Sequence, residues 1–384
     1  MTAPPRGATP PEPHRPRLMP GDRMPEFTCA TTATEAFRFD SAAGRWLVVC
    51  LPGSGGAPGT AERIGALAQT GLLDDERASL FIVSNDAQDR AAGRLADRIP
   101  GQRVFWDFDA SVARLLGAMS ADSPARLAPR WLVIDPGLTI RHVIPFRTDG
   151  ADAAEVAAHL RAAPPPDRYM GFELPAPVLI LPDVFEPAFC DMLIARYEAE
   201  GRELSGFMRD QGGRTVGVHD PGFKVRRDYT VEDQDTIRAM QARILRRVVP
   251  QIERVHFFRC TRMERYLVAC YDGAEGGHFR PHRDNTTLGT AHRRFAVSIN
   301  LNDGFEGGEV SFPEYGPRGY KAPRGGAVVF SCSLLHAVSR VTAGRRYAFL
   351  PFLYDDAAAA IRERNAAQVP NAQGYRADAP RAGV

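Results

Sequence analysis

The sequence predicts two folded domains, an α/β domain in the first half of the chain and a domain of mainly short β-strands in the second. The chain has 384 residues, which is more than a single hydrophobic core usually supports. Between about residues 17 and 163, apolar runs of strand length alternate with helical patterns. From Met263 onward, short strand patterns alternate with Gly and Pro turns, which indicates a sandwich or barrel.

The patterns of the first half occur in an order that places helices on both faces of a sheet. The predicted strands are 46–51, 80–83, 104–106 and a hairpin of 131–135 and 139–145. The predicted helices are 58–70, 91–99, 111–116 and 152–162.

The second half opens with a strand pattern and two helices, at 177–185, 187–200 and 233–249. Between the helices, residues 205–229 are rich in glycine and charge, which predicts a mobile loop.

A triple proline at 164–166 marks the boundary between the halves and predicts a linker. The start of the chain is rich in Pro and Arg and cannot bury a core, so it predicts a disordered leader. We therefore expect a leader at 1–17, an α/β domain at 18–163, a linker at 164–170, a second domain at 171–356 and a helical or disordered tail at 357–384.

Composition argues against several classes of protein. The formal net charge is +2, whereas a dedicated nucleic-acid binder would carry a basic stripe and a higher pI. The sequence contains no apolar run long enough to span a bilayer, and its first twenty residues have no apolar signal-peptide core. The six cysteines form no Cys-x-x-Cys pair, which favours reduced thiols and a cytoplasmic protein.

Three residues, His282, Asp284 and His336, have the chemistry and order of a metal site. Residues two apart on a strand face the same side, so His282 and Asp284 can reach one ion. Two histidines and one carboxylate leave three coordination positions open, the arrangement used by non-haem Fe(II) oxygenases. A structural zinc site would instead need four closed ligands, usually with cysteine among them.

Arg346 lies at the start of an apolar strand pattern, 347–354, a short distance after His336. An unpaired buried charge is costly, so Arg346 needs an anionic partner. A dicarboxylate co-substrate would supply one, because the planar guanidinium can bind a carboxylate through two hydrogen bonds. Arg345 is the rival candidate, since side chains alternate on a strand and only one of the two can face inward.

These motifs resemble the prolyl 4-hydroxylase branch of the 2-oxoglutarate oxygenases. The resemblance rests on Tyr271, on the run from Gly277 to Asp284, on residues 305–309, and on His336 followed by Arg346. Residues 267–271 and Asn285 are particularly similar to the animal oxygen-sensing prolyl hydroxylases. Order, spacing and flanking residues agree over about half of the chain.

The resemblance implies a double-stranded β-helix (jelly roll) that holds Fe(II) at His282, Asp284 and His336. It implies 2-oxoglutarate and O2 as co-substrates, ascorbate as reductant, and succinate and carbon dioxide as products. Arg346 is implied to pair with the far carboxylate of 2-oxoglutarate, and Tyr271 to line its pocket. Some relatives carry a tyrosine where this chain has Asn300, so we expect Asn300 or Ser298 to replace that contact.

The first domain resembles the peroxiredoxins, which have a thioredoxin-like fold, at residues 21–27, at the strand ending in Cys50 and at 129–135. In that family a Pro-x-x-x-Thr/Ser-x-x-Cys motif places the reactive thiol at a helix N-terminus, near an arginine that Arg130 matches here. Counting from Pro52, Gly56 occupies the Thr/Ser position of this motif and Gly59 occupies the Cys position.

Loss of both reactive positions implies a domain without peroxidase activity, kept for docking, homodimerisation or substrate presentation. Cys50 lies in a buried strand pattern and is expected to be inert. Cys29 could be exposed, but no motif supports a role for it.

The leading hypothesis is a hydroxylase of a prolyl or other side chain in a protein or peptide, with residues 209–228 as a lid. A second is hydroxylation of a small molecule, such as a free amino acid or a peptide natural product. A third is a thiol peroxidase or redox sensor acting through the first domain, and a fourth is a binding module with a vestigial iron site. A long open groove would favour the first hypothesis and a closed pocket the second.

Overall fold

The computed structural model describes residues 18–119, 127–200, 202–211 and 213–369 of the chain. The predicted leader and the end of the predicted tail lie outside these residues. By its internal contacts the chain divides into two compact units between Pro166 and Asp167. Among the described residues, none of the helices combines the length and apolar character needed to cross a membrane.

The first unit is an α/β domain built on a mixed sheet. Its strands are β1 (Thr28–Cys29), β2 (Phe37–Arg38), β3 (Trp46–Gly53), β4 (Ala78–Ser84), β5 (Gln102–Trp106), β6 (Arg130–Ile134) and β7 (Ile140–Pro145). Its α-helices are α1 (Thr60–Ala68), α2 (Ala87–Ala91), α3 (Ser111–Leu115) and α4 (Asp152–Ala162).

The sheet of the first unit has the strand order β5-β4-β3-β6-β7. Strands β3, β4 and β5 run parallel, whereas β6 and β7 are antiparallel to their neighbours. Strand β3 is buried along its whole length, as expected for a parallel strand covered on both faces. The thioredoxin-like fold predicted from the sequence is confirmed.

The second unit consists mainly of short antiparallel strands. Its strands are β8 (Leu179–Leu181), β9 (Glu203–Leu204), β10 (Phe207–Gln211), β11 (Arg214–Val218), β12 (Lys224–Val225), β13 (Arg227–Thr230), β14 (Arg262–Glu264), β15 (Leu267–Asp272), β16 (His278–His282), β17 (Phe295–Asn300), β18 (Phe305–Glu306), β19 (Val310–Ser311), β20 (Gly319–Tyr320), β21 (Ala327–Ser331), β22 (His336–Val338), β23 (Ala343–Phe349) and β24 (Phe352–Tyr354). Its α-helices are α5 (Pro187–Ala199), α6 (Gln234–Arg247), α7 (Val249–His256) and α8 (Asp356–Asn365).

Two antiparallel sheets of the second unit form the predicted jelly roll, which is thereby confirmed. The major sheet follows the order β14-β24-β17-β23-β15-β13-β9, and the minor sheet follows β12-β16-β22-β19-β20. One face of the major sheet packs on α5 and α6 through residues such as Val268, Val297 and Phe349. Because side chains alternate along a strand, Tyr271, Ser298 and Arg346 lie on the opposite face of this sheet.

Three local predictions were wrong. The predicted loop at 205–229 contains four strands: β10 and β11 pair with each other, whereas β12 and β13 are ordered by long-range pairing with β16 and β15. The predicted helix at 91–99 is absent, since α2 begins earlier, where the Asp86 side chain accepts a hydrogen bond from the Gln88 amide, and it ends at Ala91. The predicted helix at 233–249 is divided into α6 and α7, with a proline in the first turn of α7.

Glu264 is a buried carboxylate that connects β14 to α8 and to the loop before β17. Its oxygens lie 2.7 Å from Arg293 Nε, 2.9 Å from His292 Nε2 and 3.6 Å from Arg362 Nη2. Burial by itself would raise the pKa of Glu264, but Arg293, His292 and Arg362 outweigh it and hold the pKa below its ordinary value of 4.5.

We expect Glu264→Gln to lower the free energy of unfolding near neutral pH by about 3 kcal/mol, because it leaves buried cations without their carboxylate. A carboxyl with a depressed pKa stabilises the fold above its ordinary pKa, and that contribution is lost as the pH falls. Denaturant unfolding across a pH series should therefore show wild type losing stability below about pH 4.5 more steeply than the variant.

Glu275→Gln is the matched control, because Glu275 pairs with Arg227 where both side chains are about 40% exposed. We expect this control to change the free energy of unfolding by less than about 1 kcal/mol. Equal losses in the two variants would mean that Glu264 has no special structural role.

Candidate active site

The predicted metal ligands meet where β16 and β22 pair in the minor sheet. His282 lies opposite His336, and Asp284 lies in the turn that follows β16. The carboxylate oxygens of Asp284 lie 3.6 Å from His282 Nε2 and 3.3 Å from His336 Nε2. One ligand atom from each of the three residues lies within 4.8 Å of the other two. This spacing allows one ion to contact all three side chains.

A β-bulge in β16 decides which side chain packs on His282. The stretch from Phe279 to His282 opposes the shorter stretch from Val338 to His336, so the register shifts between them. As a result Phe279 stacks on His282, with ring centroids 3.5 Å apart. An unbroken alternation along the strand would instead place His278 on the same face as His282.

Backbone carbonyls fix the tautomers of both histidines. His282 Nδ1 lies 2.8 Å from the carbonyl oxygen of Arg280, and His336 Nδ1 lies 3.1 Å from that of Leu334. A carbonyl oxygen can only accept, so each Nδ1 carries the proton and each Nε2 presents its lone pair to the space near Asp284.

The protonation states of this cluster also suit a cation. Burial, followed by the nearby His282, lowers the pKa of His336 to about 4, so its imidazole is neutral near pH 7. Burial alone would raise the pKa of Asp284, but His336 and His282 outweigh it and hold the pKa below its ordinary value. A neutral imidazole and an ionised carboxylate are the forms that bind metal.

Arg346 and Arg345 point in opposite directions from β23. Arg346 is 2% exposed, whereas the Arg345 side chain is 48% exposed and pairs with Asp272 at 2.8 Å. Arg346 Nε donates to Asn300 Oδ1 at 2.9 Å, and Arg346 Nη2 donates to Ser298 Oγ at 2.7 Å. Arg346 Nη1 is buried and has no hydrogen-bond partner among the described residues.

Tyr271 lies directly opposite Arg346 in the pairing of β15 with β23, and it is fully buried. Its ring centroid lies 5.4 Å from the Arg346 guanidinium carbon and 5.7 Å from that of Arg226. Arg226 Nη1 also donates to the Tyr271 hydroxyl oxygen at 3.4 Å. Tyr271 belongs to the same hydrophobic cluster as Phe279, so the arginine side of the site is continuous with the metal-ligand side.

Sequence reasoning missed Lys224, Arg226 and Phe279. Lys224 Nζ lies 5.0 Å from the Phe279 ring centroid and donates to Ser205 Oγ at 2.7 Å. Lys224 and Arg226 are both buried, although they belong to the segment predicted to be a loop. One signal was available, since Lys224 is one of only two lysines in the sequence.

Among its described residues, the first unit lacks the features of a reactive thiol site. Gly59, in the position of the peroxiredoxin cysteine, has a left-handed φ of +75°, and a Cβ there would collide with Arg63. All six cysteines are buried and free, so the suggestion that Cys29 could be exposed was wrong. Burial, followed by Asp107, raises the pKa of Cys29 to about 12, and burial raises that of Cys50 well above its ordinary value. These findings argue against the thiol peroxidase hypothesis.

Comparison with known proteins assigns part of the chain to a family. Residues 266–354 match the family model of the 2OG-Fe(II) oxygenase superfamily, and no curated protein sequence matches the chain. Among solved structures, a Trichoplax adhaerens prolyl hydroxylase in complex with a hypoxia inducible factor peptide fragment is 15% identical, over 48% of this chain and 86% of that chain, with a TM-score of 0.39.

Two further solved structures resemble one unit each. A Pseudomonas putida prolyl-4-hydroxylase is 15% identical, over 46% of this chain and 92% of that chain, with a TM-score of 0.36. Peroxiredoxin Q of Xanthomonas campestris is 16% identical, over 35% of this chain and 90% of that chain, with a TM-score of 0.30. The matched family segment runs from β15 to β24 and contains the three clustered ligands and Arg346, so this chain carries a 2OG-Fe(II) oxygenase domain.

Proposed function

We propose that the second domain is an Fe(II)- and 2-oxoglutarate-dependent dioxygenase that hydroxylates a C–H bond, with a prolyl or other side chain of a protein or peptide as its substrate. The observation that carries this proposal is the buried Arg346 guanidinium, which has one unpaired nitrogen in the same domain as the cluster of His282, Asp284 and His336. A buried charge without a full set of partners is costly, and a bound dicarboxylate offsets that cost.

The donor set fits Fe(II). His282 and His336 offer neutral Nε2 atoms and Asp284 offers a carboxylate, a combination that leaves positions free for a chelating co-substrate. When bound, Fe(II) with 2-oxoglutarate and O2 supplies the chemistry that inserts one oxygen atom into a C–H bond and yields succinate and carbon dioxide. The protein holds these groups in place and excludes water.

Recognition of the far carboxylate of 2-oxoglutarate involves Arg346, Ser298 and Asn300, each in a different role. Arg346 Nη1 is free to donate to it. Ser298 Oγ accepts a hydrogen bond from Arg346, so its own hydrogen is available to the same carboxylate. Asn300 Oδ1 accepts from Arg346 while its Nδ2 donates to the Ala322 carbonyl at 2.7 Å, so Asn300 orients the guanidinium. We assign to Ser298 the contact that a tyrosine makes in some relatives.

Tyr271 is oriented as a hydrogen-bond donor. The Tyr271 hydroxyl oxygen accepts a hydrogen bond from Arg226. Two hydrogen bonds to Asp228, of 2.7 and 2.6 Å, hold Arg226 in place. The Tyr271 hydroxyl hydrogen therefore points away from Arg226, and we propose that it donates to a carboxylate oxygen of the bound co-substrate.

For the first domain, residues 18–163, we propose a role in docking, homodimerisation or substrate presentation. The buried cysteines and the backbone at Gly59 support a domain without peroxidase chemistry. Residues 164–170 would link it to the oxygenase domain, residues 171–356.

The proposed function is tested by incubating the full chain with Fe(II), ascorbate, 2-oxoglutarate and O2 and measuring succinate. We expect succinate above the level of a metal-free control, because uncoupled turnover needs no primary substrate. Adding cell extract should then yield a product one oxygen atom heavier by mass spectrometry. Succinate at the level of the metal-free control would refute the proposal.

A further inference from the structure

Several basic side chains lie near the metal cluster in addition to Arg346, namely Lys224, Arg226, Arg265 and Arg293. Two of these side chains, Arg226 and Arg293, are hydrogen-bonded to a carboxylate. Arg226 donates two hydrogen bonds to Asp228, and Arg293 donates to Glu264 at 2.7 Å. Lys224 bonds only to neutral oxygens, Ser205 Oγ and the Gly206 carbonyl. Burial lowers the pKa of Lys224 well below its ordinary value, so the excess of positive charge at this place comes from Arg265, which shares the single carboxylate of Asp228 with Arg226.

Arg265 is held in place, and it shares its nearest carboxylate with Arg226. It lies in the turn between β14 and β15 with a left-handed φ of +67°, and its guanidinium carbon is 5.5 Å from the Phe352 ring centroid. Asp228 Oδ2 lies 3.6 Å away, but that oxygen already accepts from Arg226 and Ser205, each at 2.6 Å. Within the described chain, the Arg265 guanidinium makes no hydrogen bond.

The neighbours of Arg265 place it over the inner face of the major sheet. Its contact Asp228 pairs with Ala269, and its contact Phe352 pairs with Ala296. Ala269 also pairs with Ala348, so three short side chains, those of Ala269, Ala296 and Ala348, occupy this face. Tyr271 and Arg346 are two residues further along the same strands as Ala269 and Ala348, and they face the same way.

A second arginine connects Arg265 to the metal cluster. Arg293 lies 4.0 Å from the Phe352 ring that Arg265 also contacts, and Arg293 Nη1 lies 3.5 Å from the backbone oxygen of Asp284. Lys224 is within electrostatic range of both Arg265 and Asp284. Arg293 therefore connects Arg265, on the sheet face that carries Arg346, with the candidate metal ligands.

The surroundings of Arg265 favour an anion. Its side chain lies deep in the domain, yet 28% of its surface is accessible to solvent. Burial, followed by Arg226 and Arg293, lowers the pKa of Arg265 to about 10, which reflects cations placed close together. Closely spaced cations with reduced hydration attract an anionic group.

We infer that Arg265, with Lys224 near it, binds a carboxylate of the primary substrate, so that the enzyme selects molecules with an acid group close to the hydroxylated carbon. This inference rests on the proposed function and adds to it the chemical class of the substrate. A guanidinium with free donors can bind a carboxylate through two hydrogen bonds. The acid group has two sources, the α-carboxylate of a small molecule or an acidic side chain beside the target residue of a peptide.

Matched acid and amide probes test the inference by calorimetric binding to the full chain, with Fe(II) and saturating 2-oxoglutarate under anaerobic conditions. The first pair is N-acetyl-L-proline and its amide, and the second is acetyl-Glu-Pro-amide and acetyl-Gln-Pro-amide. We expect the acid of one pair to bind at least about 10-fold more tightly than its neutral partner. A preference in the first pair indicates an α-carboxylate, and one in the second indicates an acidic neighbour.

Variants separate recognition from folding. Arg265→Met keeps the apolar stem over Phe352 and should reduce the acid preference to within about 2-fold. Arg265→Lys keeps the charge and should retain most of the acid preference. Arg227→Met is the control variant, because it removes an exposed arginine of a neighbouring strand, and it should also retain the acid preference. Thermal unfolding verifies that each variant is folded.

Two results would overturn the inference: equal binding of acid and amide in both pairs, or a preference that survives in Arg265→Met. The succinate assay distinguishes this failure from failure of the proposed function. Wild type that forms no succinate refutes the proposed function, whereas succinate formation without any acid preference refutes only the role of Arg265.

Discussion

Replacing Asp284 with alanine should abolish Fe(II) binding and, with it, the turnover of 2-oxoglutarate. Asp284 is the one anionic member of the cluster, and its two oxygens face the Nε2 atoms of His282 and His336. Without it, two imidazoles remain, and the site has lost its only charged ligand. Loss of an outer partner of a metal ligand costs about 10- to 100-fold in affinity, so loss of the ligand should cost more than about 100-fold.

Metal affinity is measured by calorimetry under anaerobic conditions, and turnover by succinate release. Asn285→Ala is the control, because Asn285 is the next residue and its side chain donates to Ser333 Oγ. The control should retain metal binding within about 3-fold, since neutral contacts of this kind contribute little. Turnover by Asp284→Ala at the wild-type rate would show that the metal ligands have been assigned to the wrong residues.

Replacing Arg346 with glutamine should raise the KM for 2-oxoglutarate by roughly 100-fold while leaving Fe(II) binding largely intact. Truncating one partner of a buried, hydrogen-bonded charge pair costs about 3 kcal/mol, which corresponds to that factor. The candidate metal ligands lie in strands β16 and β22 of the minor sheet and in the turn after β16, whereas Arg346 lies in the major sheet. Their geometry therefore does not depend on the Arg346 guanidinium.

Arg345→Gln is the matched control for Arg346. Arg345 is the neighbouring residue of the same strand, and its exposed side chain pairs with Asp272. The KM of the Arg345→Gln variant for 2-oxoglutarate should stay within about 2-fold of wild type, because exposed ion pairs contribute little to stability or binding. If Arg346→Gln lost iron instead of 2-oxoglutarate affinity, or if the two variants behaved alike, the role assigned to Arg346 would be wrong.

Strand alternation correctly predicted that only one of Arg345 and Arg346 faces inward, because both lie in a regular part of β23, and the structure shows that it is Arg346. Alternation does not hold in β16, where a bulge places Phe279 and not His278 on the face of His282. A bulge is set by pairing with another strand, so the periodicity of one strand does not predict it.

The segment 205–229 shows the same limit on a larger scale. Its glycines and charges are typical of a loop, yet it contains β10 to β13 and contributes Lys224 and Arg226 to the interior. Strands β12 and β13, which carry Lys224 and flank Arg226, exist because they pair with β16 and β15, which are distant in sequence. Burial of a basic residue depends on what folds over it, and local composition carries little information about that.

The sequence by itself determined the two-domain architecture, the jelly roll and the thioredoxin-like fold, and it singled out the candidate ligands and Arg346. These features depend on local periodicity and on the order and spacing of a few chemically distinctive residues. Only the tertiary structure decided which oxygens and nitrogens around Arg346 are already paired, that Arg226 orients Tyr271, and that Arg265 shares the Asp228 carboxylate with Arg226. Those properties depend on contacts between strands far apart in the chain, because hydrogen-bond partners and burial are set by packing and not by the neighbours of a residue in sequence.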